Sequence, residues 1–462
     1  MTRMMIFGYG LGSLGQGAVY YFMSAYFVVF LTNSVGLSAA IAGTISSVAL
    51  MVEVVTGMIV GNMSDRCSFR LGKRRTFMLA AGIAMLPIML FMLRTLEGPE
   101  SIKIVYYLVF AILFRMFFSC YEIPYNAMGA EIVSDYNERT RLRTIARVFS
   151  ITGNAIGYIL PLLILDMFVR EESGWNAIGI MLALVSSLCW IFSVVFTKEP
   201  QFEKVVAKKK NVLKEIVLNY IELFKLKTMR MLIIYKAAFS CAFSLVNVGT
   251  LYFLQYNLGL GNRYSSYIYV FTIVIFVIST PLVDKMAIAK SKAWQQMTTM
   301  ALCAFIGIFI YFFAADSVIA CAVYIGLFAL VQTGFWQLSH SMFYDIVEVD
   351  EYVNNKRREG DIVSFVSVLG TFITAAMVQA YGMFFNLAGF DAKLEMQPES
   401  VNTFLDAAFI LVPCLCLLAG VAVLKVFPIN KKTFDSLRKV LELRKEGKAY
   451  SEYMDDINKI IG

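Results

Sequence analysis

Long apolar runs alternate with short polar breaks along almost the whole chain. About 20 consecutive apolar residues in a helix cross the roughly 30 Å hydrocarbon core of a bilayer. Runs of that length fall near 6–32, 38–63, 76–96, 102–134, 144–169 and 175–197, then again near 231–258, 264–284, 295–315, 317–345, 360–388 and 403–428. In lipid, every backbone N–H and C=O must be paired within the protein, and a helix pairs them within one segment. The pattern therefore predicts an all-α membrane protein with twelve transmembrane helices. They divide into a six-helix bundle over 1–197, a polar connector over 198–230, a second six-helix bundle over 231–428 and a helical tail over 429–462. In that tail Phe434, Leu437, Val440 and Leu441 recur among charges. This reads as a mostly polar helix, solvated or skimming the membrane surface.

Composition strengthens this picture. The 462 residues are 59% hydrophobic and 16% charged, with a mean hydropathy of +0.68, whereas soluble domains carry about 25% charged residues. Abundant Phe and Tyr exclude a disordered chain. The first apolar run begins near Ile6 and continues past Phe30 without a small-residue cleavage site, so it reads as a retained span.

The net charge of +8 speaks to topology rather than to nucleic acid, because the bases fall in alternate loops. Arg66, Arg70, Lys73, Arg74 and Arg75 follow span two. Further clusters are Arg139, Arg141 and Arg143; Lys204 to Lys227 in the connector; Lys285, Lys290 and Lys292; and Lys356, Arg357 and Arg358. The loops between them, around Asn33 and around Asn262, are nearly neutral. Positive-inside bias then places the connector and both termini in the cytoplasm, with the spans in the inner membrane. Eight scattered cysteines without a C-x-x-C, and a single histidine, His340, give no metal site, cofactor or disulfide framework. With no nucleotide loop and no sizeable soluble domain, an enzyme or receptor is disfavoured. The expected partners are the bilayer and a small solute, the expected state a monomer.

Two loop motifs narrow the class. Span two is followed by Asp65-Arg66, then Arg70-Leu71-Gly72-Lys73-Arg74-Arg75; a simple positive-inside anchor explains the bases but not their order with Asp65. Span ten ends in Asp345, Glu348, Asp350 and Glu351, followed by Lys356-Arg357-Arg358-Glu359-Gly360. Acids at a helix C-terminus oppose its dipole, each at about 0.3–1 kcal/mol. The cluster is thus either a cytoplasmic gate, with Asp65, Arg139, Asp345, Glu348, Glu351 and Arg357 as its members, or a solvated turn. Together with Tyr9-Gly10-Leu11-Gly12, Val35-Gly36-Leu37-Ser38, Glu122-Ile123-Pro124-Tyr125, Arg147-Val148-Phe149 and Phe335-Trp336, these motifs resemble the glycoside–pentoside–hexuronide:cation symporter family. The resemblance covers most of the chain and implies the major facilitator fold.

Ionisable residues inside spans are costly and mark functional sites. Here they are Glu53 in span two, Arg115 and Glu122 in span four, Arg147 in span five and Lys236 in span seven. The resemblance implies that Glu53 and Glu122 serve cation coupling, beside Arg115. It also implies that Glu122, Arg147 and Trp336 contact sugar, and Asn126 and Tyr20 complete the substrate-binding candidates. Carboxylate and guanidinium groups pair with vicinal hydroxyls, and an aromatic face packs a pyranose. Gly17, Gly57 and Thr371 stand where the family carries two acids and a lysine, and Asn126 replaces a tryptophan. Sodium coupling, proton coupling and uncoupled facilitation all remain open. The expected activity is alternating-access transport of a sugar or glycoside, with a uronide attractive because Arg115, Arg147 and Lys236 supply positive charge. The alternative is a facilitator or exporter of an amphipathic solute such as a steroid, lipid or drug, which the many Met and Phe would suit.

Overall fold

The computed structural model describes residues 3–66, 71–132, 136–198, 212–356, 358–394, 396–446 and 448–461. The side chains of Asp65 and Arg139, and Arg357 altogether, lie outside the described residues. Eleven described helices are long and apolar enough to cross a membrane, and twelve do so when a bent pair counts as one span. That pair is α1, Arg3–Ala25 continuing as Phe27–Ser34 after a 48° bend. The other N-terminal spans are α2 (Ala39–Arg66), α3 (Arg75–Met92), α4 (Glu100–Glu131), α5 (Tyr136–Met167) and α6 (Glu171–Phe196). Helix α7 (Val212–Lys225) falls within 198–230, the stretch read from the sequence as a connector. Spans seven to twelve are α8 (Lys227–Asn257), α9 (Asn262–Ala289), α10 (Lys292–Phe313), α11 (Val318–Asn354), α12 (Glu359–Leu387) and α13 (Glu399–Lys425). The tail forms two helices, α14 (Lys431–Lys445) and α15 (Met454–Ile461), where the sequence pattern suggested one.

The chain divides into two compact units. The first comprises Met1–Ala207, Asn247–Ile273 and Thr374–Leu405. In it α1 and α5 approach closely: a Cβ on Gly153 or Gly157 would run into the carbonyls of Leu14 and Ala18. Lipid gives helices no hydrophobic drive to associate, so small residues four apart earn their contact through close backbone packing. The last turns of α1 and α8 share one design, with Phe30-Leu31 and Phe253-Leu254 opening a π turn that ends at Gly36 (φ 77°) and Gly259 (φ 61°). Leu37 N donates to Leu31 O at 3.0 Å, and Leu260 N to Leu254 O at 2.8 Å. Positive φ is cheap only for glycine, which stops both helices at the same register.

The same unit joins these helix ends through side chains. Thr32 Oγ1 and Tyr252 Oη are 2.6 Å apart, and Asn33 Nδ2 donates to Tyr256 Oη at 3.1 Å. Tyr158 on α5 donates to Asn247 Oδ1 at 2.6 Å, stacks on Tyr269 at 4.8 Å and accepts at its carbonyl from the Tyr26 hydroxyl. Ser47 on α2 donates to Gln379 Oε1 at 2.9 Å.

The second unit comprises Lys208–Val246, Val274–Ile373 and Asp406–Gly462. Its core includes the stacked pair Phe239 and Phe335, Tyr324 donating to the carbonyl of Phe409 at 3.0 Å, and Tyr235 donating to Gln296 Oε1 at 2.8 Å. Helix α11 runs on to Asn354, well past the span end near 345 read from hydropathy, because its terminal acids are paired. Lys292 meets Asp345 at 2.8 Å, and Arg358 grips the fully buried Asp350 through Nε and Nη2 at 2.8 and 2.6 Å. Arg358 Nη1 also reaches Glu222 on α7 at 2.7 Å, and Lys356 meets the same carboxylate at 2.8 Å.

The tail is docked, not solvated. Leu437, Val440, Ile457 and Ile460 are buried, and Arg444 Nη1 donates to the carbonyl of Tyr352 on α11 at 3.0 Å.

Candidate functional site

The first unit gathers Tyr20, Glu53, Arg115 and Glu122, from three helices. Arg115 Nη1 lies 2.8 Å from Glu53 Oε2, with side-chain exposures of 7% and 15%. The guanidinium also lies 5.6 Å from the Phe114 ring centre, and Ser119 donates to the Glu53 carbonyl at 3.3 Å. Glu122, two turns along α4, meets an amide instead: Gln16 Nε2 donates to its Oε1 at 3.0 Å. Seven residues span nearly two helical turns, so Arg115 and Glu122 share a face but stand about 10 Å apart in rise. That separation leaves Arg115 to Glu53. Among the described residues no ion pair falls to Glu122.

Tyr20 stacks on Phe118 with centres 6.0 Å apart and lies within electrostatic reach of Glu53, Arg115 and Glu122. Gln16 was missed in the sequence, although it stands four residues before Tyr20 and therefore on the same helical face. Arg147 on α5 is exposed and acts electrostatically on Tyr21. Asn126, one turn beyond Glu122, is exposed and stands outside the Gln16–Glu122 contact. Gly17 faces α5 too closely for the acid expected there: a Cβ would lie 2.6 Å from Asn154 Oδ1.

Trp336 belongs to the second unit. Its ring stands edge-on to Phe239, at 6.2 Å, and to Phe243, at 5.8 Å, and its buried Nε1 has no hydrogen-bond acceptor. The Lys236 ammonium lies 4.7 Å from the Phe335 ring centre and 5.2 Å from that of Trp336. Gly370 makes room for the lysine stem, since a Cβ there would come 2.7 Å from Lys236 Cε. A cation–π contact is worth about 0.5–1 kcal/mol where exposed and about 2 kcal/mol when desolvated, so the two rings help to hold the half-buried ammonium in place.

At the end of α11, Asp345 and Glu348 meet Lys292 and, at 3.8 Å, Arg438 of the tail. Glu351 accepts at its carbonyl from Asn355 N, where a left-handed residue (φ 53°) ends the helix. The sequence reading singled out Arg357 of the basic triplet, whereas in the structure the buried acid Asp350 is held by Arg358. The side chains of Asp65 and Arg139, and the whole of Arg357, lie outside the described residues.

Comparison with known proteins agrees with this architecture. The family model for MFS/sugar transport proteins matches residues 8–431. The chain is 24% identical to the isoprimeverose transporter of Lactiplantibacillus pentosus, covering 88% of this chain and 85% of that one. It is 22% identical to the inner membrane symporter YicJ of Escherichia coli, covering 96% and 94%. Among solved structures, a D-xylose–proton symporter superposes with a TM-score of 0.67 at 15% identity, over 90% of this chain and 96% of that one, which establishes the major facilitator fold. With its motifs and its family match in accord, the chain belongs to the glycoside–pentoside–hexuronide:cation symporter group of major facilitator sugar transporters.

Proposed function

We propose that this protein carries a sugar or glycoside across the inner membrane by alternating access, driven by a proton that binds at Glu122. One observation carries the coupling assignment: Arg115 takes up the charge of Glu53, while Glu122 has an amide as its partner. A sodium site requires several oxygen ligands and net negative charge, and a neutralised Glu53 supplies little of either. A lone carboxylate in a span, hydrogen-bonded to a group that both donates and accepts, suits a proton that comes and goes. Tyr20 and Arg147 are the groups of the first unit proposed to meet sugar hydroxyls, with Asn126 at the margin, and Trp336 is a candidate stacking face within the second unit. The isoprimeverose relative supports a sugar as the solute, and YicJ supports symport in the inner membrane. By the charge of the loops both termini lie in the cytoplasm, the protein acts as a monomer, and Asp345, Glu348 and Glu351 form an acidic cluster on that side.

The test is uptake of a panel of labelled sugars and glycosides into proteoliposomes, with pH and sodium gradients imposed separately. An inward proton gradient should drive accumulation and a sodium gradient should not. Glu122→Gln should abolish accumulation while retaining exchange of internal for external sugar. Sodium-driven accumulation would refute the proton assignment, and absence of uptake for every sugar would refute the solute class.

A further inference from the structure

From the surroundings of Lys236 we infer that the second unit contains an anion subsite, in which Lys236 and the indole N–H of Trp336 receive a singly charged oxyanion, such as a carboxylate, carried by the transported solute. The inference rests on the sugar-carrier reading and names which sugars the protein prefers.

Three observations support it. First, Lys236 is half-buried in span seven with two aromatic rings, Phe335 and Trp336, as its neighbours, and no ion pair reaches it among the described residues. A cation left in lipid-depth protein without a carboxylate is normally compensated by a ligand or lines a path for one. Second, Trp336 Nε1 is buried and lacks an acceptor. An indole N–H can only donate, so it too awaits an oxygen. The two groups are neighbours, since the Lys236 ammonium is 5.2 Å from the centre of the Trp336 ring. Third, the space is built for this lysine. Gly370 on α12 withholds a side chain where the stem passes, and Ser240, one turn after Lys236 on α8, is buried with its hydroxyl 3.8 Å from where a Gly370 Cβ would sit.

The other cations within the spans are placed differently. Arg115 is engaged by Glu53, and Arg147 is exposed on α5 of the first unit. An ammonium over ring faces beside an unpaired N–H presents donors and no acceptor. It therefore recognises a negatively charged oxygen group and discriminates against a hydroxymethyl at the same place. A lysine present only to pack against rings would leave that discrimination unaffected.

The experiment measures binding of matched pairs to the full chain in lipid nanodiscs: 4-nitrophenyl β-glucoside against the β-glucuronide, and the corresponding galactoside against the galacturonide. The members of each pair differ in charge and little in shape. Charge-assisted hydrogen bonds predict at least about tenfold tighter binding of the acidic member by the unaltered protein. Lys236→Met should bring the pair to near equality with the neutral member's affinity retained, and Lys236→Arg should keep most of the preference. Trp336→Phe, which keeps a ring and removes the N–H, should reduce the preference about fivefold. An unchanged preference in Lys236→Met, or tighter neutral binding by the unaltered protein, overturns the subsite. If no member of either pair binds, the sugar-carrier reading falls first and the subsite with it. Retained neutral binding in Lys236→Met shows that the variant is folded.

Discussion

The Arg115 guanidinium and the Glu53 carboxylate meet at 2.8 Å between α4 and α2, both largely withdrawn from solvent. Removing one partner strands the other charge in a span, which costs about 3–5 kcal/mol, whereas removing both is much milder. Arg115→Met and Glu53→Gln should each lower the thermal midpoint of the detergent-solubilised protein markedly, and the double variant should recover most of the loss. Equal loss in the double variant would show that the pair is not coupled in this way.

Close packing of α5 on α1 leaves no room for a methyl at Gly153, which rests on the Leu14 carbonyl. Overpacking of this kind costs about 1–3 kcal/mol. Gly153→Ala should therefore reduce stability by that order, and Gly153→Leu should abolish folded protein by size-exclusion profile. A Gly153→Leu variant of normal yield and profile would contradict the close approach.

Tyr158 donates to Asn247 between two of the chain segments that the first unit draws together. Losing a buried hydrogen bond costs about 1–3 kcal/mol when the acceptor is left behind. In Tyr158→Phe, amide hydrogen exchange over 247–257 should accelerate at least severalfold, with exchange in α3 unchanged. Identical exchange in both proteins would remove this bond from the contacts that hold the segment.

The Lys356 ammonium and the Arg358 guanidinium, both hydrogen-bonded to Glu222, hold its carboxyl below the ordinary glutamate range. A depressed carboxyl stabilises the fold above its ordinary value and loses that contribution as pH falls through its folded value. Protection of α7 amides, taken relative to the intrinsic exchange rate at each pH, should thus be constant between neutral pH and about pH 5 and should fall below about pH 4. Glu222→Gln should show the lower protection already at neutral pH and lose the acid step. An acid step of the same size in Glu222→Gln would assign it to another group.

Much of this molecule is legible without coordinates. Span boundaries near 38, 76, 102, 175 and 360 follow from hydropathy alone, because lipid selects on local composition. The candidate residues Glu53, Arg115 and Glu122 stand out for the same reason: a charge in an apolar run is conspicuous. Gln16 escaped notice because a neutral amide in a glycine-rich helix carries no such signal. The docked tail escaped it because Leu437 and Val440 look alike whether they face a membrane surface or another helix.

The sequence by itself determined the solvent, the number of crossings, the family and the short list of ionisable groups. These are one-dimensional properties, set by runs of residues and by where the loops carry charge. Only the tertiary structure decided which charges meet: Arg115 with Glu53 rather than Glu122, Asp350 with Arg358, and Lys236 with two rings in place of an acid. Each residue turns a helix by about 100°, so partners depend on how neighbouring helices are rotated and how closely glycines let them approach. No run of sequence records that.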